Sequence, residues 1–321
     1  MLKRRIGSSG IEVMPLALGG NVFGWTADEA TSFRLLDAFV DAGGTMIDTA
    51  DGYSQWVEGH VGGESETVIG RWLARDPAKR HRVVIASKVG MMGSPIVNGE
   101  YVASLSPEAV ARSADASLAR LGVETIDLYY QHRDDPAVPL ADSLGAFDAL
   151  VKVGKIRAIG LSNFEPPRIE EALAVARREG LTVPCAYQGW YNLLERGKYE
   201  GAIQDIVTAN GMSFFPFYAI ANGYLAGKYR AREDLGKSER GLRNIAYLEG
   251  KGPRVLAVLD AISAESGAPL AAIALAWTRD RDGVTAPIAS ATSLAQLDEQ
   301  LASLTLDLSP AQIDRLDRAS E

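Results

Sequence analysis

Strand-like apolar runs alternate with helix-spaced apolar residues along nearly the whole chain, and few architectures accept that rhythm. The runs fall at 14–19, 46–48, 83–88, 126–130, 156–161, 183–187, 213–217 and 284–288. Between them lie helix signals of ordinary kinds. Phe33, Leu35, Leu36, Phe39 and Val40 form a stripe closed by Gly43 and Gly44. Ser106-Pro107-Glu108 reads as a cap with proline in the first turn. Further helices are expected over 66–74, 140–153, 167–178 and 202–210, with two more after Ser293 and from Ser309-Pro310. Residues 3–6 and 11–13 flank Gly7-Ser8-Ser9-Gly10 and suggest a small hairpin ahead of the first run. Eight strand–helix units predict a (β/α)₈ barrel, a single domain over residues 1–321, with an N-terminal hairpin and extra C-terminal helices. An open doubly wound sheet is the rival, but nothing divides the chain into halves.

Three of the strand ends carry chemistry. The run Met46-Ile47 stops at Asp48, with Tyr53 five residues on. The third run ends in Lys88, and the fourth leads to His132. In a barrel these ends meet at one mouth. A lysine there needs a partner, because an unpaired buried ammonium costs several kcal/mol. Asp48, on the neighbouring strand, is the natural one. An ammonium beside Tyr53 is expected to favour the phenolate and lower the phenol's pKa. Each residue also has a bland reading: a strand-end Asp as turn former, a tyrosine at the rim, a histidine on a backbone carbonyl. Lys88 is the hardest to explain blandly.

Other chemistries lack their residues. There is no H-E-x-x-H, no cysteine pair, and no ligand-like spacing of His60, His81 and His132, so no metal is expected. Asp134 or Asp135 could supply one glycosidase carboxylate, but the seventh run ends in Phe217-Tyr218 without a second. No G-x-S-x-G elbow and no G-x-G-x-x-G fingerprint occur. Gly223 to Lys228 is one residue short of a P-loop and lacks the Ser or Thr after its lysine. The lone Cys185 reads as a small buried hydrophobe. A net charge of −8 argues against nucleic acid, and no apolar run approaches a membrane span. The N-terminus has no secretory pattern, so a cytoplasmic protein is expected. Residues 230–251, rich in charge and glycine on the active-site side, read either as a solvated connection or as a lid.

Several motifs in order now resemble the aldo-keto reductase family over nearly the whole chain. They are Ile47-Asp48-Thr49-Ala50 with Tyr53, Gly63-Glu64-Ser65-Glu66, Ala86-Ser87-Lys88, and Ile126 through His132. Ile159 through Phe164, Gln188, Tyr191 through Arg196, and Leu225 through Tyr229 continue the series. The resemblance implies a small-molecule aldehyde or ketone reductase, or an alcohol dehydrogenase in reverse, with NADP(H), or NAD(H) instead, across the carboxyl-terminal face. It implies Tyr53 as proton donor, Asp48 and Lys88 as the pair that tunes it, and His132 as the residue that orients the carbonyl. Ser162, Asn163 and Gln188 match the carboxamide contacts, and Phe217 matches the stacking aromatic. Gly20, Asn21, Asp48, Tyr218, Leu225, Gly227, Lys228, Ser290, Thr292, Gln296 and Gln300 complete the implied cofactor set. Phe23, Trp25, Tyr53, Trp56, His132 and Trp190 are the expected substrate contacts, an aromatic-lined pocket.

The sequence departs from the family pattern in three places. No Lys or Arg lies in 290–296 to meet an adenosine 2′-phosphate, Gln300 stands where Asn is common, and Tyr218 replaces a small residue. Backbone N–H groups after Ser290, or Lys228, Arg230 and Arg232 from the lid side, are the expected substitutes. A second class of function shares these motifs: a cofactor-binding regulatory subunit with little turnover, as in channel-associated members.

Overall fold

The computed structural model describes residues 3–93, 96–97, 100–101 and 104–321. Strands β1 (Arg4–Arg5) and β2 (Glu12–Val13) pair antiparallel as the expected hairpin. Ile6, Ile11 and Val13 of this hairpin join Met46, Leu128, Cys185 and Ala186 in one core, so the hairpin plugs the amino-terminal end of the barrel. Gly7 is required there: its φ is +43° and a Cβ would fall 2.4 Å from the Cys185 carbonyl oxygen. Cys185 is buried as expected, and burial pushes its thiol up to about 11.

The main sheet contains β3 (Ala17–Gly19), β4 (Met46–Asp48), β5 (Val84–Val89), β8 (Ile126–Gln131), β9 (Ile156–Ser162), β10 (Ala186–Trp190), β11 (Ser213–Phe217) and β12 (Ile288–Ala289). All are parallel, in the order β11-β10-β9-β8-β5-β4-β3-β12. A small antiparallel pair, β6 (Ile96–Val97) and β7 (Glu100–Tyr101), lies in the β5–β8 connection. The helices run α1 (Glu29–Asp41), α2 (Glu64–Arg75), α3 (Pro107–Leu121), α4 (Leu140–Lys152), α5 (Pro166–Arg178), α6 (Ala202–Ala209), α7 (Ile245–Glu249), α8 (Gly252–Ser266), α9 (Leu270–Arg279), α10 (Leu294–Leu301) and α11 (Pro310–Ser320).

The barrel interior takes small residues from several strands, Ala17, Ala86, Ala158 and Ala186, which make room for Tyr130 and Phe215. Gly160 is one such concession, since a Cβ would meet the Tyr130 ring at 2.3 Å. Outside, apolar strand faces pack on the helix stripes, as with Leu36 and Phe39 of α1 and Ile69 and Trp72 of α2.

Three strands differ from the sequence expectation, and proline is the reason each time. The first was expected from 14 but pairs only from Ala17, because Pro15 offers no N–H. The sixth was expected at 183–187 and lies at Ala186–Trp190, beyond Pro184. The eighth was expected over 284–288. Instead Val284 makes one isolated bridge to Phe214, Pro287 interrupts, and the strand is Ile288–Ala289. The seam between β11 and β12 is therefore thin. Phe214 N–H donates to Gly283 O at 3.0 Å and Thr285 N–H to Phe214 O at 2.8 Å. The next residue of β11 facing the seam is Pro216, with no N–H to give. Below it the Arg4 guanidinium clamps the carbonyls of Arg279 and Val284 at 2.6 and 2.9 Å.

The connection from β11 to β12 also holds helices that sequence periodicity did not reveal. α9 is buried on nearly every side, so it shows no polar stripe. Among the described residues no single helix is long and apolar enough to cross a membrane. The one bent pair that passes on length and composition, α8 with α9, turns through 101° and packs in the core.

Candidate active site

Parallel strands put all their carboxyl ends at one rim, and the expected residues gather there. Asp48 is the last residue of β4, Lys88 the last but one of β5, and His132 follows β8. Lys88 is fully buried and donates from Nζ to Asp48 Oδ2 at 2.7 Å, to the Tyr53 hydroxyl at 2.7 Å and to Thr49 O at 2.8 Å. The Tyr53 hydroxyl also donates to Asp48 Oδ2 at 3.2 Å. The His132 ring stands edge-on to Tyr53, with centroids 5.9 Å apart. Asp48 Oδ1 accepts from Gln188 Nε2 at 2.8 Å.

The electrostatics correct one expectation. Tyr53 is not acidified: burial first, and then the Asp48 charge, push its pKa well above the usual phenol value. The Lys88 ammonium does not overcome these effects. Burial lowers Lys88 itself, with Asp48 opposing. Burial, then Lys88 and Arg133, hold His132 well below the usual imidazole range. At neutral pH the site thus contains a protonated phenol and a neutral imidazole.

These groups face a cavity of about 870 Å³. Its walls include Asn21, Trp56, Ser162, Asn163, Trp190, Phe217, Tyr218 and Lys228, with Ser290, Thr292, Gln296 and Gln300 along one arm. A Cβ at Gly19 would come within 2.5 Å of Ser290 Oγ, so glycine keeps that arm open. Among the described residues five non-glycines have positive φ, and four of them, Asn163, Tyr218, Ala221 and Asn222, follow β9 and β11. Such strain gathers where a ligand loop is shaped. Asn222 Oδ1 is buried there without a partner among the described residues.

A family model described as the aldo/keto reductase family matches residues 15–321. The chain belongs to that family. A norsolorinic acid reductase of Emericella nidulans is 31% identical over 316 residues, covering 95% of this chain and 78% of that one. An L-glyceraldehyde 3-phosphate reductase of Escherichia coli (strain K12) is 28% identical over 329 residues, covering 99% of this chain and 92% of that protein. A probable voltage-gated potassium channel subunit beta of Arabidopsis thaliana is 27% identical over 99% of this chain and 96% of its own length.

Not every expected contact of this aldo/keto reductase reaches the cavity. Phe23 and Leu225 are fully buried in the hydrophobic core and do not line the cavity. Gly20 shapes the loop behind the site, its N–H donating to Asp48 O at 2.7 Å and its carbonyl accepting from Ser65 Oγ at 2.8 Å. Gly227 turns the chain at φ +77° without lining the cavity. Trp25 stands behind Trp56, edge-on at 5.6 Å. Gln296 accepts from Thr292 N and Oγ1, and Gln300 donates to Ser290 O at 2.9 Å, so both glutamines shape the arm they line.

The segment 230–251 reaches the cavity at one stretch. Lys237, Ser238, Glu239 and Arg240 line it, with Arg240 over the Trp25 ring at 4.9 Å. Arg230 and Arg232 do not line it. Arg230 holds Asp260 at 2.6 and 2.8 Å, and Arg232 pairs with Glu249. Gln55, Met91 and Arg133 also line the cavity and were not singled out in the sequence. Arg133 could have been found by its place after His132; Arg240 lies in a segment with no periodic signal.

Proposed function

We propose that this aldo/keto reductase reduces aldehydes and ketones to alcohols, and runs the reverse reaction, with NADP(H) or with NAD(H). The observation that carries the reading is the Asp48–Lys88–Tyr53 triangle, with His132 beside it, opening on one cavity. We propose that the chain acts as one barrel unit. A dihydronicotinamide supplies a hydride when bound. Phe217 offers it an aromatic face, and Ser162, Asn163 and Gln188 offer amide and hydroxyl partners. The arm from Ser290 to Gln300 offers the adenosine end neutral groups, a helix N-terminus and the Glu299 carboxylate but no cation, which supports at most a weak preference for NADP(H) over NAD(H).

Within this reading His132, neutral at physiological pH, donates an N–H to the carbonyl oxygen and orients it. Tyr53 then gives its hydroxyl proton to that oxygen as the carbonyl carbon is reduced. Lys88 balances the phenolate left behind, and Asp48 keeps the ammonium in place. Trp56, Trp190 and Tyr218 present apolar faces, which supports carbonyls on rings or hydrophobic chains. The test is a steady-state panel of aromatic aldehydes, aliphatic ketones and sugars, each with NADPH and NADH. Turnover of aryl or alkyl carbonyls is expected. Tight cofactor binding with no turnover on any member would overturn the reading in favour of a regulatory subunit.

A further inference from the structure

Gln188 lies on the far side of the mouth from the residue it holds. Around the ring, β10 reaches β4 through β9, β8 and β5 in one direction and through β11, β12 and β3 in the other. The two strands are therefore diametrically opposed. Yet Gln188 Nε2 lies 2.8 Å from Asp48 Oδ1, and both side chains are buried, at 2% and 1% exposure. The orientation of the amide follows from chemistry. A carboxylate only accepts, so the NH₂ end must face Asp48.

Asp48 is thereby divided between two tasks. Oδ1 is held from across the barrel, and Oδ2 serves Lys88 and Tyr53. We propose that Gln188 is a positioning residue for proton transfer, a strut that fixes the Asp48 carboxylate so that Oδ2 stays with the lysine and the phenol. The inference rests on the oxidoreductase reading above. Without the strut the carboxylate is free to rotate about its Cβ–Cγ bond, and Oδ2 loses its fixed alignment with Tyr53 and Lys88. The other ionisable groups facing the triangle are Asp51, Glu66, Tyr130, His132, Tyr218 and Arg240. Tyr130 is the one of these that the Gln188 side chain itself touches, and a substitution at Gln188 leaves the others in place.

The test uses Gln188→Met, which keeps length without a donor, and Gln188→Glu, which can donate only while protonated. Protein labelled at tyrosine ¹³Cζ gives a resonance for Tyr53, assigned by its loss in Tyr53→Phe and read without cofactor at pH 7. In Gln188→Met that resonance is expected to shift while the tyrosines that do not touch Gln188 hold, and kcat is expected to fall about tenfold or more, the size of a lost hydrogen bond to a charge. Gln188→Glu is expected to lose activity as pH rises, through a titration the parent lacks. An unmoved Tyr53 resonance with only the cofactor KM raised makes Gln188 a cofactor contact and overturns the proposal. If Gln188→Met does not fold, Gln188→Glu decides, and activity tracking the parent at every pH overturns it. Because the resonance needs no turnover, a shifted Tyr53 in an inactive parent protein separates failure of the enzyme reading from failure of the strut.

Discussion

The Lys88 ammonium touches Tyr53 twice, donating to its hydroxyl at 2.7 Å and lying 4.6 Å from the centre of its ring. The same ammonium is fully buried against Asp48, so one side chain carries both structure and reactivity. Replacing it leaves a buried carboxylate without its cation. Lys88→Met is expected to destabilise the fold by about 3–5 kcal/mol, the usual cost of breaking a buried pair from one side. Thermal unfolding checks this, and Asp48→Asn added to Lys88→Met is expected to recover part of the loss.

Tyr53→Phe removes the acid and keeps the ring against Trp56 and His132. Turnover is expected to fall roughly 10²- to 10⁴-fold, the usual worth of a general acid. Cofactor affinity, followed by fluorescence titration, is expected to stay within a few-fold. A fully active Tyr53→Phe enzyme would refute the assigned proton donor.

The two perturbed pKa values set a pH window. Reduction needs Tyr53 protonated and His132 neutral. Tyr53 is raised well above 10.0 and His132 lowered well below 6.5, so the reductive rate is expected to be flat between those values. Oxidation needs the phenolate and is expected to climb with pH across the same range. Initial rates in both directions, from one enzyme stock, supply the comparison.

Asp51 makes a separate prediction about stability. It is buried behind Lys88, with one oxygen unpartnered among the described residues and the other accepting from Gly90 N–H at 3.3 Å. Burial, then the nearby Glu66, raise its pKa to about 7. The folded state thus holds the Asp51 proton to higher pH than the unfolded chain does, and this contribution to stability is lost as pH rises from 3.8 through about 7. Asp51→Asn is expected to raise Tm relative to the parent at pH 8 and to show a smaller advantage at pH 5. An equal Tm difference at both pH values would contradict the assignment.

The arm that ends the cavity gives a specificity prediction. Thr292 faces the groove with no cation nearby on 290–296. Thr292→Arg is expected to raise the preference for NADPH over NADH about tenfold or more, through a charge-assisted bond to the 2′-phosphate. The ratio of kcat/KM values for the two cofactors is the measurement.

Much of this site was legible because a parallel barrel converts strand ends into a single rim. Asp48, Lys88 and His132 could be placed together from the runs that precede them, without knowing a side-chain angle. Tyr53's acidity could not be read the same way, since it depends on how completely the phenol is desolvated and on its distance from Asp48. The Gln188–Asp48 bond was hidden for a topological reason: its partners are 140 residues apart and on opposite strands. Phe23 and Leu225 show the opposite case. Family position placed them at the site, but both side chains pack in the core. Arg240 was missed because short 3₁₀ turns, such as Gly241–Asn244, leave no periodic trace.

The thin junction between β11 and β12 lies beneath the groove, where Phe217 and Tyr218 stand on one bank and Ser290 on the other. A dinucleotide laid across both banks would do the work that the missing prolyl N–H groups leave undone, fastening the ring from above. Amides around Phe214 and Thr285 would then exchange with solvent more slowly in the loaded protein than in the free one, making the cylinder's weakest joint a gauge of occupancy.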